Sequence, residues 1–222
     1  MSELLKKLTP TWIVTSVKDI EPDALKAHGI DAVITDLDNT LVPWRRYDIP
    51  PDVIEWLARL KAADIKLCIA SNTIRVNRLK KIAGILGIPF VEGVRKPSVD
   101  GFIRSMKLMG STRENTAVFG DQLFTDILAG NRLGLKTILL FPPLSTKDLI
   151  TTAQVRKLER LVRRSQESRG AWPEAGPLTA DALRTDTSAE SAPERSPDTR
   201  IAVASVTAIA VIVIALILRR KR

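Results

Sequence analysis

The stretch AVITDLDNTLVPW, residues 32–44, runs an apolar strand straight into two acids two positions apart, with Thr40 following and no glycine to ease the turn. Carboxylates this close repel, so Asp36 and Asp38 need a cation, a shared proton or open solvent to coexist. In a regular strand residues i and i+2 share one face, but past the strand end the backbone can turn one carboxylate and one carbonyl toward a common point. A hard, oxygen-seeking cation such as Mg2+ would hold such a pair. Counted from Asp36, a calcium EF-hand loop would want glycine at its sixth position and glutamate at its twelfth, where Leu41 and Tyr47 stand. The chain also lacks a GxxxxGK[ST] phosphate loop.

Outward from this stretch, short apolar runs recur at DAVIT (31–35), IKLCIA (65–70), IPFVEG (88–93), TAVFG (116–120) and LKTILLF (135–141). Amphipathic segments such as PPDVIEWLARLKAAD and VNRLKKIAGILG fall between them. The alternation predicts an α/β fold, an open, mostly parallel, Rossmann-like sheet with helices on both faces. Ligands of such sheets bind outside the carboxyl ends of the strands. Asp36 and Asp38 follow the first of these strands, Ser71 and Asn72 the second, Lys96 the third and Asp121 the fourth, so one sheet edge would gather them all. Ser71 and Asn72 also suit the cap of the helix starting near Arg75, and a helix N-terminus itself favours phosphate. Asp126, in the first turn of a helix, would be stabilising there in its own right.

A chain of 222 residues suits one domain and appendages, and its net charge of +9 suits an anionic partner: nucleic acid, anionic lipid or a phosphorylated metabolite. The single Cys68, inside an apolar run, excludes a disulfide framework and reads as core. His28, the one histidine, has no second His or Cys near it and reads as no metal ligand. The expected organisation is a folded domain over residues 1–164, a disordered Ser/Pro/Ala-rich linker over 165–200, a transmembrane helix over 201–218 and a basic tail, RRKR, over 219–222. The span IAVASVTAIAVIVIALIL is uncharged and would reach about 27 Å as a helix. The linker, as a flexible coil, would reach on the order of 30–35 Å. With no secretory signal pattern at the N-terminus, the domain is expected on the cytoplasmic side, against the positive-inside tendency of RRKR. The segment ELLKKLTPTW suits an interfacial anchor and an ordinary cap on the fold equally.

The set DxDxT (Asp36, Asp38, Thr40), SN (Ser71, Asn72), KP (Lys96, Pro97) and GDQxxTD (Gly120, Asp121, Gln122, Thr125, Asp126) resembles the four motifs of the haloacid dehalogenase superfamily of phosphatases. The wider pattern, from about residue 9 to residue 145, is similar to the YqeG branch of its IIIA subclass. That resemblance implies Asp36 as nucleophile, Asp38 as general acid and base, and Thr40 as an orienting residue. It implies Ser71, Asn72 and Lys96 around the phosphoryl group. It also implies Mg2+ on the Asp36 carboxylate, the Asp38 carbonyl and Asp121, with Asp126 supporting Lys96 or a metal-bound water.

No insertion large enough for a cap domain separates these motifs, so the site is expected to be open. The branch is similar to phosphatidylglycerophosphate phosphatases, which implies an anionic phospholipid substrate at a membrane. Trp44, Arg45 and Arg46, directly after the nucleophile loop, are candidates for lipid and headgroup contact, and the basic residues of DLITTAQVRKLERLVRR would suit an anionic surface. A phosphatase of a soluble or protein-bound phosphate is the alternative. A nucleic-acid-binding module is disfavoured, since no aromatic-basic stacking platform is visible.

Overall fold

The computed structural model of the chain describes residues 3–145 and 150–180. Six strands, β1 (Trp12–Val14), β2 (Ala32–Thr35), β3 (Lys66–Ala70), β4 (Phe90–Val91), β5 (Thr116–Gly120) and β6 (Lys136–Leu140), form one sheet in the order β1-β6-β5-β2-β3-β4. Every neighbouring pair is parallel, so the sheet is wholly parallel where the sequence predicted mostly so. The chain climbs outward from β2 through β3 to β4, then returns to the other side of β2 with β5. The order therefore reverses at the β2/β5 pair, the crevice where open α/β sheets bind their ligands.

Alternation along the strands builds two cores. Val33, Ile69, Ala117, Phe119 and Ile138 face α2 (Pro22–Ala27), α3 (Pro51–Ala62) and α4 (Val76–Leu86), whose Leu25, Trp56, Leu60, Leu79 and Ile82 complete that layer. Ala32, Ile34, Cys68, Ala70 and Val118 face α5 (Asp100–Met109) and α6 (Leu128–Leu133) on the other side. Strands buried on both faces read as continuous apolar runs, which is why AVIT and TAVFG carry no polar alternation. Cys68 is buried in this second layer. Only the loop 36–50 and α3 separate β2 from β3, and only α4 separates β3 from β4, so no cap domain stands over the site among the described residues.

A third cluster joins α1 (Glu3–Lys6), α6 and α7 (Ile150–Glu167) through Leu5, Leu8, Phe124, Ile127, Leu128 and Val162. Leu5 and Leu8 are fully buried and Trp12 is nearly so, so these three side chains of the N-terminal segment pack as a cap on the fold. The folded unit also runs past residue 164. α7 continues to Glu167, and residues 171–180 return to the outer edge of the sheet. There Gly176 donates its N–H to the Ile13 carbonyl, Leu178 N–H donates to the Asp19 carbonyl, and the Leu178 side chain is buried. Over residues 165–180, part of the stretch expected to be linker, the chain is therefore ordered against the domain, with the buried Leu178 anchoring a sequence whose composition reads as coil. His28 stacks against Trp12 at 4.9 Å and meets the Thr179 carbonyl at 2.8 Å, a structural post for the same strap. The expected membrane span and basic tail lie outside the described residues, and no described helix is long and apolar enough to cross a membrane.

Candidate active site

Asp36 leaves β2 with its N–H still bonded to the Phe119 carbonyl, so its side chain is fixed at the last rung of the β2/β5 ladder. Asp121 leaves β5 one rung away. Between them the Thr40 hydroxyl donates to Asp121 Oδ1 at 3.2 Å. The turn carrying Thr40 is held by Asn39, which takes a left-handed φ of 63° that asparagine tolerates better than most residues.

Lys96 enters from the loop after β4 and is 2% exposed. Its Nζ donates to Asp36 Oδ1 and to Asp126 Oδ1, both at 2.6 Å. Asn72 fixes the backbone beneath it: Asn72 Nδ2 donates to the Lys96 carbonyl at 2.9 Å, and the Lys96 N–H donates to Asn72 Oδ1 at 2.6 Å. Asn72 thus ties the β3 end to the β4 loop, and neither it nor Ser71 caps α4. The helix begins at Val76 with no side-chain cap bond, and Thr73 Oγ1 takes the Arg75 N–H instead. Ser71 is buried at the end of β3, on the same edge.

Asp126 sits in a widened helical turn, Leu123–Ile127, that leads into α6. Its Oδ2 accepts the Gln122 N–H at 3.2 Å. The approach is close enough to require glycine at position 120, where a Cβ would stand 2.4 Å from the Asp126 carboxyl carbon.

Two arginines and one glutamate complete the site. Arg78, buried on the inner stripe of α4, donates from Nη1 to Asp38 Oδ1 at 2.8 Å and from Nε and Nη2 to the Arg46 carbonyl at 2.9 and 2.7 Å. Arg156 of α7 donates to the Asp121 carbonyl at 2.9 Å and pairs with the Asp121 carboxylate. Glu159, one turn further on, accepts the Phe124 N–H at 3.2 Å and lies 3.8 Å from Arg156. None of the three was singled out as a site residue from the sequence, yet Arg78 and Glu159 left a signal there. Arg78 shares the apolar stripe of Leu79, Ile82 and Ala83, and Glu159 shares that of Val155 and Val162, where solvated charges do not belong. Trp44, Arg45 and Arg46 stand at the mouth, half-buried, exposed and exposed respectively, with the Arg45 guanidinium 4.1 Å above the Trp44 ring.

The electrostatics follow from burial. Asp36, Asp121 and Asp126 bring carboxylate oxygens within 4.8 Å of one another. Burial pushes the Asp121 carboxyl up to about 8 against the pull of Arg156, and raises Asp126 against the pull of Lys96. Burial likewise lifts Glu159 to about 7. Asp38 is raised by burial and by the charge of Asp36, with Arg78 opposing. For Lys96 desolvation works to lower the pKa, but Asp126 and Asp36 outweigh it and hold the ammonium charged. Four buried carboxyls, Asp36, Asp121, Asp126 and Glu159, thus face two cations, Lys96 and Arg156. With all four ionised the deficit is the charge of one divalent ion, and an all-oxygen set suits a hard cation, so the residues fit a metal. The acidic trio sets Asp126 beside Asp36 and Asp121, the two carboxylates that the family resemblance implies as metal ligands together with the Asp38 carbonyl.

Asp36, Asp121, Lys96, Thr40, Asn72 and Ser71, carried by four different strand ends, therefore meet on one sheet edge with a place for a cation. The haloacid dehalogenase-like hydrolase family matches residues 18–134 of the chain. The chain belongs to that family and is a phosphatase. Over 174 residues it is 40% identical to the probable phosphatase YqeG of Bacillus subtilis (strain 168), a match spanning 77% of this chain and 100% of that protein. Over 179 residues it is 30% identical to the chloroplastic/mitochondrial phosphatidylglycerophosphate phosphatase 1 of Arabidopsis thaliana, spanning 75% of this chain but 51% of that one. The chain thus covers about half of that plant protein's length. A solved HAD phosphatase from Thermococcus onnurineus matches with 19% identity and a TM-score of 0.41 over 64% of this chain and 60% of that one.

Proposed function

We propose that the phosphatase removes the terminal phosphate of phosphatidylglycerophosphate, with Asp36 as nucleophile and Mg2+ as cofactor. The observation that carries the chemistry is the buried Lys96 bridge: one ammonium within 2.6 Å of both Asp36 and Asp126 holds the attacking carboxylate aimed at the strand edge. The lipid reading is supported by the uncapped edge, which a headgroup presented from a surface can reach, and by the name of the plant relative.

Asp36 attacks phosphorus in line, forming an acyl-phosphate bond as the bond to the glycerol oxygen breaks. Asp38, its pKa already raised, gives its proton to that departing oxygen. The Asp38 carboxylate then takes a proton from water, whose oxygen attacks phosphorus and releases inorganic phosphate and free Asp36. Arg78 holds Asp38 in place through both steps, and Ser71 offers a hydroxyl to a phosphoryl oxygen. Asp36, Asp121 and Asp126 would hold Mg2+, which when bound neutralises charge on the phosphoryl oxygens.

The test is phosphate release by the purified chain from detergent-dispersed phosphatidylglycerophosphate, set beside sugar phosphates, nucleotides and phosphopeptides. The lipid should be preferred at least about tenfold in kcat/KM. A soluble phosphate turned over better than the lipid would overturn the substrate assignment and leave the chemistry standing.

A further inference from the structure

We infer that the loops around the site mouth form a docking rim that seats the enzyme on an anionic lipid surface, with Ile74 as the residue that enters the bilayer. The inference rests on the lipid substrate proposed above and names how that substrate is met. Ile74 is 92% exposed, and it lies in the loop between Ser71 and α4, three residues from the site. A lone exposed isoleucine is ordinary on a protein surface; its company here is not. Tyr47 is 50% exposed and Leu144 37%, on the loops that follow β2 and β6, and Trp44 is half-buried beside them.

Hydrogen bonds hold these loops together as one surface. Asn39 Oδ1 takes the Trp44 N–H at 3.0 Å and the Ser145 hydroxyl at 2.9 Å, and the Asn39 carbonyl takes the Leu144 N–H at 3.0 Å. On the other side Arg78, in the first turn of α4 that Ile74 leads into, grips the Arg46 carbonyl and lies under the Tyr47 ring at 5.8 Å. The rim is therefore braced from the same asparagine and arginine that frame Asp36 and Asp38.

Its charge fits the same partner. Among the described residues of these loops, Arg45, Arg46 and Arg75 are exposed between the apolar tips, against the acid Asp48, which pairs with Arg46 at 3.2 Å. An aromatic with a polar edge, apolar tips and interleaved arginines is the chemistry of the headgroup layer, where apolar side chains sink below the phosphates and guanidiniums bind them. A bilayer held there faces the open carboxyl edge of the sheet, and a phosphomonoester standing above its lipid would enter the site without leaving the membrane.

The experiment uses the full chain carrying Ile74→Cys, labelled with an environment-sensitive fluorophore; the native Cys68 is fully buried and stays unlabelled in the folded protein. The control is Ile85→Cys, 61% exposed near the far end of α4. Phosphatidylcholine vesicles containing phosphatidylglycerol should shift the label at 74 to the blue, and brominated lipid should quench it. The label at 85 should do neither. In parallel, Ile74→Asp should lower the ratio of vesicle-borne to detergent-dispersed lipid turnover by about tenfold, of the order that losing one buried isoleucine implies.

No shift at 74 while the same vesicles' phosphatidylglycerophosphate is hydrolysed would overturn the rim and leave the substrate assignment intact. Equal shifts at 74 and 85 would also overturn it, since contact would then have no orientation. A label at 74 already blue-shifted without lipid would show the rim covered by residues 181–222 or by another copy, and would overturn it as well. A selective shift with no hydrolysis of the lipid would uphold the rim and sink the substrate.

Discussion

A lysine at 2% exposure would ordinarily shed its proton, and Lys96 keeps it because Asp36 and Asp126 each stand 2.6 Å away. This sharing makes the nucleophile replaceable without collapse. Asp36→Asn leaves Lys96 its second carboxylate, so the fold should persist while turnover falls by at least about three orders of magnitude, as removal of a nucleophile does elsewhere; circular dichroism and phosphate release read the two halves. Arg156 is the opposite case, a cation seated on a carboxylate that a metal needs. Arg156→Gln should lower the melting temperature of the metal-free chain, because Asp121 and Glu159 lose their buried partner at a cost of about 3–5 kcal/mol. The same change should tighten Mg2+ binding about tenfold, since a competing charge is gone. Unchanged affinity by calorimetry would mean that Arg156 and the metal do not compete.

At the scale of elements, the site depends on how closely the turn after β5 folds back over the strand. Gly120→Ala would drive a methyl into the Asp126 carboxyl, and backbone or turn must yield at a cost of about 1–3 kcal/mol. Asp126 would then draw Lys96 out of line, so activity should drop more than stability; a variant with normal turnover would show the turn to be slack. The sequence made the strand ends legible because each is short, apolar and followed at once by its functional residue, as in AVITD, CIASN and VFGD. It concealed β1, whose three residues, Trp12–Val14, are too few for any pattern to declare itself. Arg78, Arg156 and Glu159 were concealed for a different reason. Each reaches the site from a helix, and although the apolar stripes around Arg78 and Glu159 mark those two as out of place, the partner they meet is not known until the packing of the helix is. The strap ending at Leu178 was missed because a single buried leucine is enough to order a segment whose composition argues for coil.

At the scale of the whole molecule, ionising all four buried site carboxyls leaves two negative charges more than Lys96 and Arg156 offset, and stability should show it. Glu159 has a folded pKa of about 7 against the usual 4.5, so the folded state holds that proton more tightly. The resulting stabilisation, about 3 kcal/mol, is complete below about pH 4.5 and is lost as pH rises through about 7. Asp121 and Asp126 shift in the same direction. In EDTA the chain should therefore melt lower at about pH 8 than at about pH 5, Glu159→Gln should flatten part of that slope, and Mg2+ at the higher pH should restore the loss. A metal-free protein that gains stability over the same range would refute the charge count. Chelation should also stop turnover, and Mg2+ should return it. Everything proposed for the site turns on Asp36 carrying the phosphate during turnover of the lipid, and acyl-phosphates are reduced by borohydride, which converts the aspartate to homoserine. Quenching the enzyme with borohydride in mid-turnover of phosphatidylglycerophosphate and mapping peptides by mass spectrometry should find homoserine at position 36. Its absence there under full turnover, or its appearance at Asp38 or Asp121, would refute Asp36 as the nucleophile.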